Sequence, residues 1–211
     1  MPNLTMTKEP NLDAAYALRT PDDSRKLYAA WADSYDTDFA MSHGYQLHNH
    51  VARHYAEVGI GPVLDIGAGT GLCGQALAAL GMGPVDGTDI SPEMLIVAEG
   101  KGIYRRLFEG DVLAGLPASD GQYAGCVSSG TFTNGHVGPA GLDTIMRVTQ
   151  PGGWIAISIN SEHYKSQGFA EKFAGLEPHI TQLTLTPVPI YQASEGAHAS
   201  DTAMLARWQK R

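Results

Sequence analysis

Apolar and polar positions change their period along this chain, and the change marks out its organisation. From Pro21-Asp-Asp-Ser, a helix-start sequence, Leu27, Tyr28, Trp31 and Tyr35 recur at helical spacing and share one face. A second helix is predicted after Gly44, with Leu47, Val51, Tyr55 and Val58 as its apolar stripe and Gly59 and Pro62 as its stop. Short apolar runs then alternate with helical stretches. Strands are predicted over 63–66, 85–88, 104–109, 123–128 and 154–159, with helices over 71–80, 92–99 and 139–148. Gln150-Pro-Gly-Gly153 reads as a tight turn before the last of these strands, proline presetting φ and glycine accepting a positive one. Residues 180–186 and 202–208 alternate apolar and polar around a loop holding Glu195 and Gly196, which predicts a closing antiparallel hairpin.

Strand–helix alternation implies an α/β fold with a mostly parallel sheet, here of seven strands. The polar segment 1–20, bounded by Pro10 and Pro21, reads as a flexible arm ahead of one domain over 21–211, in which 21–60 supply lid helices and 61–211 the core. A chain of 211 residues can bury a sizeable core without staples. Cys73 and Cys126 fall in apolar runs and are expected to be buried free thiols, as in a reducing cytoplasm. A formal net charge of −8 argues against a nucleic-acid partner, and no segment has the length and apolarity of a membrane span. A small-molecule partner is the expectation.

The candidate chemistry lies at the strand ends. Val63-Leu-Asp-Ile-Gly-Ala-Gly-Thr-Gly-Leu-Cys-Gly74 reads as G-x-G-x-G from Gly67 and as the dinucleotide pattern G-x-G-x-x-G from Gly69. In the dinucleotide register the first glycine comes two residues late, and Asp65 would stand beside the phosphates. Asp65, Asp89 and Asp111 end or just follow three successive strands, 24 and 22 residues apart. Carboxylates so placed suit a ligand rich in donors, such as ribose hydroxyls or an amine. A nicotinamide oxidoreductase is thereby the weaker reading.

These stretches, with Gly87-Thr-Asp-Ile-Ser-Pro-Glu-Met-Leu95, Glu109-Gly-Asp-Val112 and Gln150-Pro-Gly-Gly153, resemble class I S-adenosylmethionine-dependent methyltransferases, whose fold is Rossmann-like. Leu27-Tyr-Ala-Ala-Trp-Ala-Asp-Ser-Tyr-Asp36 and Gly130-Thr-Phe-Thr-Asn-Gly-His-Val-Gly-Pro139 are similar to the small methyltransferases named after the Williams–Beuren syndrome region. The resemblance implies S-adenosyl-L-methionine as cofactor and in-line methyl transfer to a small acceptor. It implies that Gly67, Ala68 and Gly69 pass under the methionine part while Asp65 orients the turn and reaches its ammonium. Asp89 would hold the ribose with Ile90 beside it, Met94 would pack on the adenine, and Asp111 and Val112 would meet its edge. Tyr28 and Tyr35 would close over the sulfonium, a cation that aromatic faces attract by roughly 0.5–2 kcal/mol each, and Ser128 would complete the set. Thr131 and His136 would face the acceptor, His136 as a candidate proton acceptor. A non-catalytic cofactor-binding module is the alternative from another class.

The histidines at 43, 48, 50 and 54 do not predict a metal. At 100° per residue only His50 and His54 share a face, and His54 lies on the apolar stripe.

Overall fold

The computed structural model describes residues 20–41, 44–192 and 200–211, the side chains of residues 21, 22, 38 and 39 excepted. The arm expected over 1–20, apart from its last residue, therefore lies outside the described residues, as do His43, Glu195 and Gly196.

The first helix, α1 (Pro21–Trp31), starts where its chemistry predicts: the Thr20 hydroxyl accepts from the Asp23 N–H, and the Asp23 carboxylate accepts from the Thr20 N–H, both at 3.1 Å. This reciprocal box satisfies donors that the first turn leaves without helical partners. The chain then winds through a π-helical stretch, Tyr35–Met41, into α2 (Leu47–Ala56).

Seven strands follow: β1 (Val63–Ile66), β2 (Val85–Asp89), β3 (Arg106–Glu109), β4 (Tyr123–Phe132), β5 (Thr149–Asn160), β6 (Ile180–Pro189) and β7 (Thr202–Lys210). They form one sheet in the order β3-β2-β1-β4-β5-β7-β6. The first five pair in parallel, and β7 runs antiparallel between β5 and β6, so six strands share a direction. This is the expected Rossmann-like sheet with an antiparallel C-terminal hairpin. The intervening helices are α3 (Leu72–Ala79), α4 (Pro92–Gly100) and α5 (Gly141–Val148).

Every residue of β1 is buried, as a central parallel strand covered on both faces requires. Leu64 and Ile66 face one core with Leu142, Ile145, Phe169 and Trp208. Val63 faces the other, with Val51, Tyr55, Leu77 and Leu205. Val51, Ala52 and Tyr55 of α2 are wholly buried, and the Tyr55 hydroxyl donates to the Ile60 carbonyl at 2.7 Å. Thus α2 packs as a layer on the sheet, and Leu47 and His48 in its first turn also line the cavity described below.

Two local expectations change. Residues 150–153 form a bulge within β5, because β4 passes from Tyr123 to Gly125 while β5 passes from Thr149 to Trp154. Gly152 does take the positive φ, +80°, that the turn chemistry called for. Alternation assigned nothing between residues 159 and 180, where the structure has α6 (Ser161–Ser166) and α7 (Phe169–Leu176). The Asn160 side chain caps α6 by accepting from the Glu162 and His163 N–H groups at 3.0 and 3.1 Å. Cys73 and Cys126 are buried and unbridged, and no helix among the described residues is long and apolar enough to cross a membrane.

Candidate functional site

Strand order reverses between β1 and β4, and a parallel sheet opens a crevice at the carboxyl ends of such strands. A cavity of about 1490 Å³, its mouth included, lies there. Its floor is the turn after β1. Gly67, Gly69 and Gly71 take φ of +67°, +55° and +93°, a left-handed conformation that residues with a Cβ rarely adopt. A Cβ on Gly67 would also collide with the Thr131 side chain, whereas one on Gly69 would meet nothing within 4 Å. The turn is pinned by the Ala68 N–H, which donates to the Thr88 carbonyl at 2.9 Å, and by the Gly69 N–H, which donates to Asp89 Oδ2 at 2.8 Å.

The other Asp89 oxygen accepts from the Ser91 N–H at 2.9 Å. Burial raises the Asp89 pKa, and these backbone donors, with that of Ile90, oppose the rise. Each carboxylate oxygen retains capacity for a further donor. Ile90, Met94, Asp111 and Val112 continue the wall; Met94 and Val112 are buried, and Asp111 closes a local turn by accepting from the Leu113 N–H at 2.8 Å. Thr88 also lines the cavity, with a buried hydroxyl that has no partner.

Another part of the lining is aromatic. Tyr28, Tyr35, Tyr45 and Tyr191 form it, and burial holds the phenols of the first three above their ordinary pKa, hence neutral. Tyr28 lies 6.1 Å from Tyr35 and 5.5 Å from His136, ring centre to ring centre, and Tyr45 stacks on His48 at 5.6 Å. Burial lowers the pKa of both His48 and His136 to about 4. His48 Nδ1 and both ring nitrogens of His136 are buried without a partner. His136 is therefore not the exposed loop residue that a glycine-rich setting implies. Its loop is held from behind by buried His163, whose ring nitrogens meet Asn134 Oδ1 at 3.1 Å and the Val137 carbonyl at 3.0 Å.

Of the residues singled out in the sequence, Tyr28, Tyr35, Gly67, Ala68, Gly69, Asp89, Ile90, Met94, Asp111, Val112, Thr131 and His136 line this one cavity. Two do not. Asp65 is fully buried off the cavity wall, where Oδ2 accepts from the Tyr104 hydroxyl at 2.7 Å and Oδ1 has no partner. Ser128 is fully buried and donates to the Ile66 carbonyl at 2.6 Å, a tie between β4 and the end of β1. Tyr45, His48, Asn160 and Tyr191 line the cavity without having been predicted. Tyr45 carried a local signal, an aromatic directly after Gly44 at a helix entry, but Asn160 and Tyr191 arrive only through the sheet. Among the described residues no three His, Cys, Asp or Glu side chains converge as a metal site.

Residues 63–153 match the family model described as a methyltransferase domain. The chain is 32% identical over 149 residues to human methyltransferase-like protein 27, a match that takes in 67% of this chain and 60% of the relative. The chain thus spans about three fifths of that relative's length. Among solved structures, the DhpI complex with SAH superposes with a TM-score of 0.66 at 17% identity, over 90% of this chain and 96% of that one. A SAM-dependent methyltransferase from Thermotoga maritima gives 0.59 at 16% identity, over 87% and 98%. At such identities these structures speak for the fold.

Proposed function

With residues 63–153 forming a class I, S-adenosylmethionine-dependent methyltransferase domain, we propose that the protein binds S-adenosylmethionine across the ends of β1, β2 and β4 and methylates a small acceptor at the aromatic part of the cavity. The observation that carries this reading is the Gly69 turn. It is tied to the Asp89 carboxylate and open above, within one cavity lined by Asp89, Asp111 and four tyrosines.

The residues present fit such a cofactor. Asp89 has lone pairs left for two ribose hydroxyls, the buried Met94 and Val112 offer an apolar slot for a base, and the partnerless Thr88 hydroxyl adds a polar atom to the wall. Neutral tyrosine faces at Tyr28 and Tyr35 suit a cation without neutralising it. When bound, the cofactor supplies a methyl group already activated on a sulfonium. The chain is accordingly asked for position and dryness rather than for a triad, and holding two reactants in contact is worth roughly 7–11 kcal/mol of a barrier.

The cover consists of α1 and the π-helical stretch. Arg25 Nε donates to the Ile90 carbonyl at 3.2 Å. Asp36 accepts from the Thr70 hydroxyl at 2.5 Å and from Lys101 Nζ at 2.6 Å, so one carboxylate fastens the cover to the glycine turn and to the end of α4. Thr131 and His136 wall the acceptor end.

Calorimetric titration tests the reading. S-adenosylhomocysteine is expected to bind the purified protein and NAD is not. Asp89→Ala is expected to weaken the former by roughly 1–3 kcal/mol, the scale of hydrogen bonds to a charged group. Tight NAD binding with none of S-adenosylhomocysteine would sink the proposal, and unchanged affinity in a folded Asp89→Ala variant would remove that residue from the site.

A further inference from the structure

The acceptor end of the cavity states its own requirements. His136 lines it with both ring nitrogens buried and unpaired, and its ring sits 5.5 Å from that of Tyr28. A polar atom sealed from water and left unpaired is costly, so a ring in this state is completed by something that enters the cavity. The sulfonium itself carries no hydrogen-bonding hydrogen and no basic lone pair; the cofactor's ammonium and carboxylate do, and a loss of S-adenosylhomocysteine affinity in a His136 variant would mark them as the partner.

Charge narrows the choice. Among the described residues lining the cavity there is no lysine or arginine, and the two carboxylates, Asp89 and Asp111, stand at the end assigned to the nucleoside. An acceptor with a carboxylate, a phosphate or an ammonium group would be buried there without a protein counter-charge beside it, and an ionised group so buried is costly. The aromatic walls of Tyr28, Tyr35, Tyr45 and Tyr191 favour a flat apolar body.

Hydrogen-bond roles narrow it further. In a neutral imidazole one nitrogen donates and the other accepts. A carbonyl can only accept, but a hydroxyl pairs with either ring nitrogen in either tautomer. The geometry points to an uncharged hydroxyl-bearing aromatic molecule as the acceptor, its hydroxyl on His136 and its ring between the tyrosine faces. This rests on the methyltransferase reading above, since the nucleoside end of the cavity is taken as occupied.

The test uses the full chain saturated with S-adenosylhomocysteine, whose own binding is measured first. Four probes of one shape are then titrated: 4-methylphenol, 4-methylanisole, 4-hydroxybenzoate and tyramine. 4-Methylphenol is expected to bind at least tenfold more tightly than the blocked, the anionic and the cationic probes. His136→Phe keeps a flat ring but removes both nitrogens; it is expected to cut the preference for 4-methylphenol over 4-methylanisole to less than twofold while S-adenosylhomocysteine affinity stays within twofold. Equal or tighter binding of a charged probe, equal binding of the anisole, or no binding of any probe overturns the inference. So does a preference that survives in His136→Phe, or a loss of S-adenosylhomocysteine affinity there as large as that of the phenol, which would give His136 to the cofactor. A protein that fails to bind S-adenosylhomocysteine at all overturns the methyltransferase reading, and this inference falls with it.

Discussion

Asp65 and Asp89 lie near the ends of neighbouring strands, Asp65 opposite Gly87 and so two positions short of Asp89, and their surroundings give them different chemistry. Asp89 is met by backbone donors on both oxygens and keeps room for a ligand. Asp65 is fully buried, takes one hydroxyl donor from Tyr104 and is pushed by burial to a pKa of about 7. An acid whose folded-state pKa is raised holds its proton in the native state where the unfolded chain, with a pKa near 3.9, has released it. Stability from this group is therefore complete below about pH 4, falls as pH rises towards 7, and is flat beyond. Asp65→Asn, which cannot ionise, should gain on the wild type across that window, by at most about 4 kcal/mol at 1.36 kcal/mol per pKa unit. Urea melts of both proteins at pH 4, 5.5 and 7.5 measure it; histidine contributions cancel in the difference. A difference that does not change with pH would show that Asp65 is not the group that titrates.

The two N-terminal elements differ in what they do, and the difference is readable as burial. Tyr55 of α2 is wholly buried between the sheet and the chain at Ile60, so Tyr55→Ala should cost roughly 3–5 kcal/mol of stability, the range for removing a large core ring. Asp36, in the π-helical stretch, is partly exposed, and its ties to Lys101 and Thr70 fasten a cover rather than fill a core. Asp36→Ala should cost under about 1 kcal/mol in a thermal melt but weaken S-adenosylhomocysteine binding severalfold; unchanged affinity would make the cover ornamental. Sequence pattern found both segments because their apolar residues recur at helical spacing, but spacing cannot tell a helix that covers a ligand from one that covers a sheet. For the same reason the glycine turn, Asp89, Met94 and the 131–136 loop were legible, each being set by chemistry within one βα unit. Asn160 and Tyr191 were not, because the sheet and the hairpin bring them to the cavity from remote positions, while Tyr45 and His48 reach it with the entry of α2. Phe169, Phe173 and Leu176 carried a helical signal for α7, obscured by the short capped α6 before it and by Gly168, whose φ of +79° starts the second helix afresh.

The chain closes its sheet with its last strand, and this governs the molecule as a whole. β7 lies inside the sheet, pairing with β5 from Trp154 to Asn160 and with β6 from Ile180 to Pro189. Ala203 and Leu205 belong to one core, Ala206 and Trp208 to the other, and Lys210 Nζ donates to the Met146 and Thr149 carbonyls at 2.7 Å. The residues proposed to hold the cofactor, from Tyr28 to Val112, are all present long before β7 in the sequence, so a local view of the site would make this strand dispensable. The packing says otherwise. Loss of the Trp208 ring alone is worth roughly 3–5 kcal/mol, a large part of the 5–15 kcal/mol by which a domain is stable. Loss of the whole strand also leaves β5 and β6 without their shared partner. Trp208→Ala should therefore melt cooperatively but at a markedly lower temperature, with S-adenosylhomocysteine affinity retained below the melt. A chain ending at Asp201 should show neither a cooperative melt by near-ultraviolet circular dichroism nor S-adenosylhomocysteine binding, although every proposed cofactor contact remains in its sequence. If that shortened chain bound the cofactor product with wild-type affinity, the site would have to be set by the βα units alone, and the sheet's last strand would have no part in holding β4 and β5 where the cavity needs them.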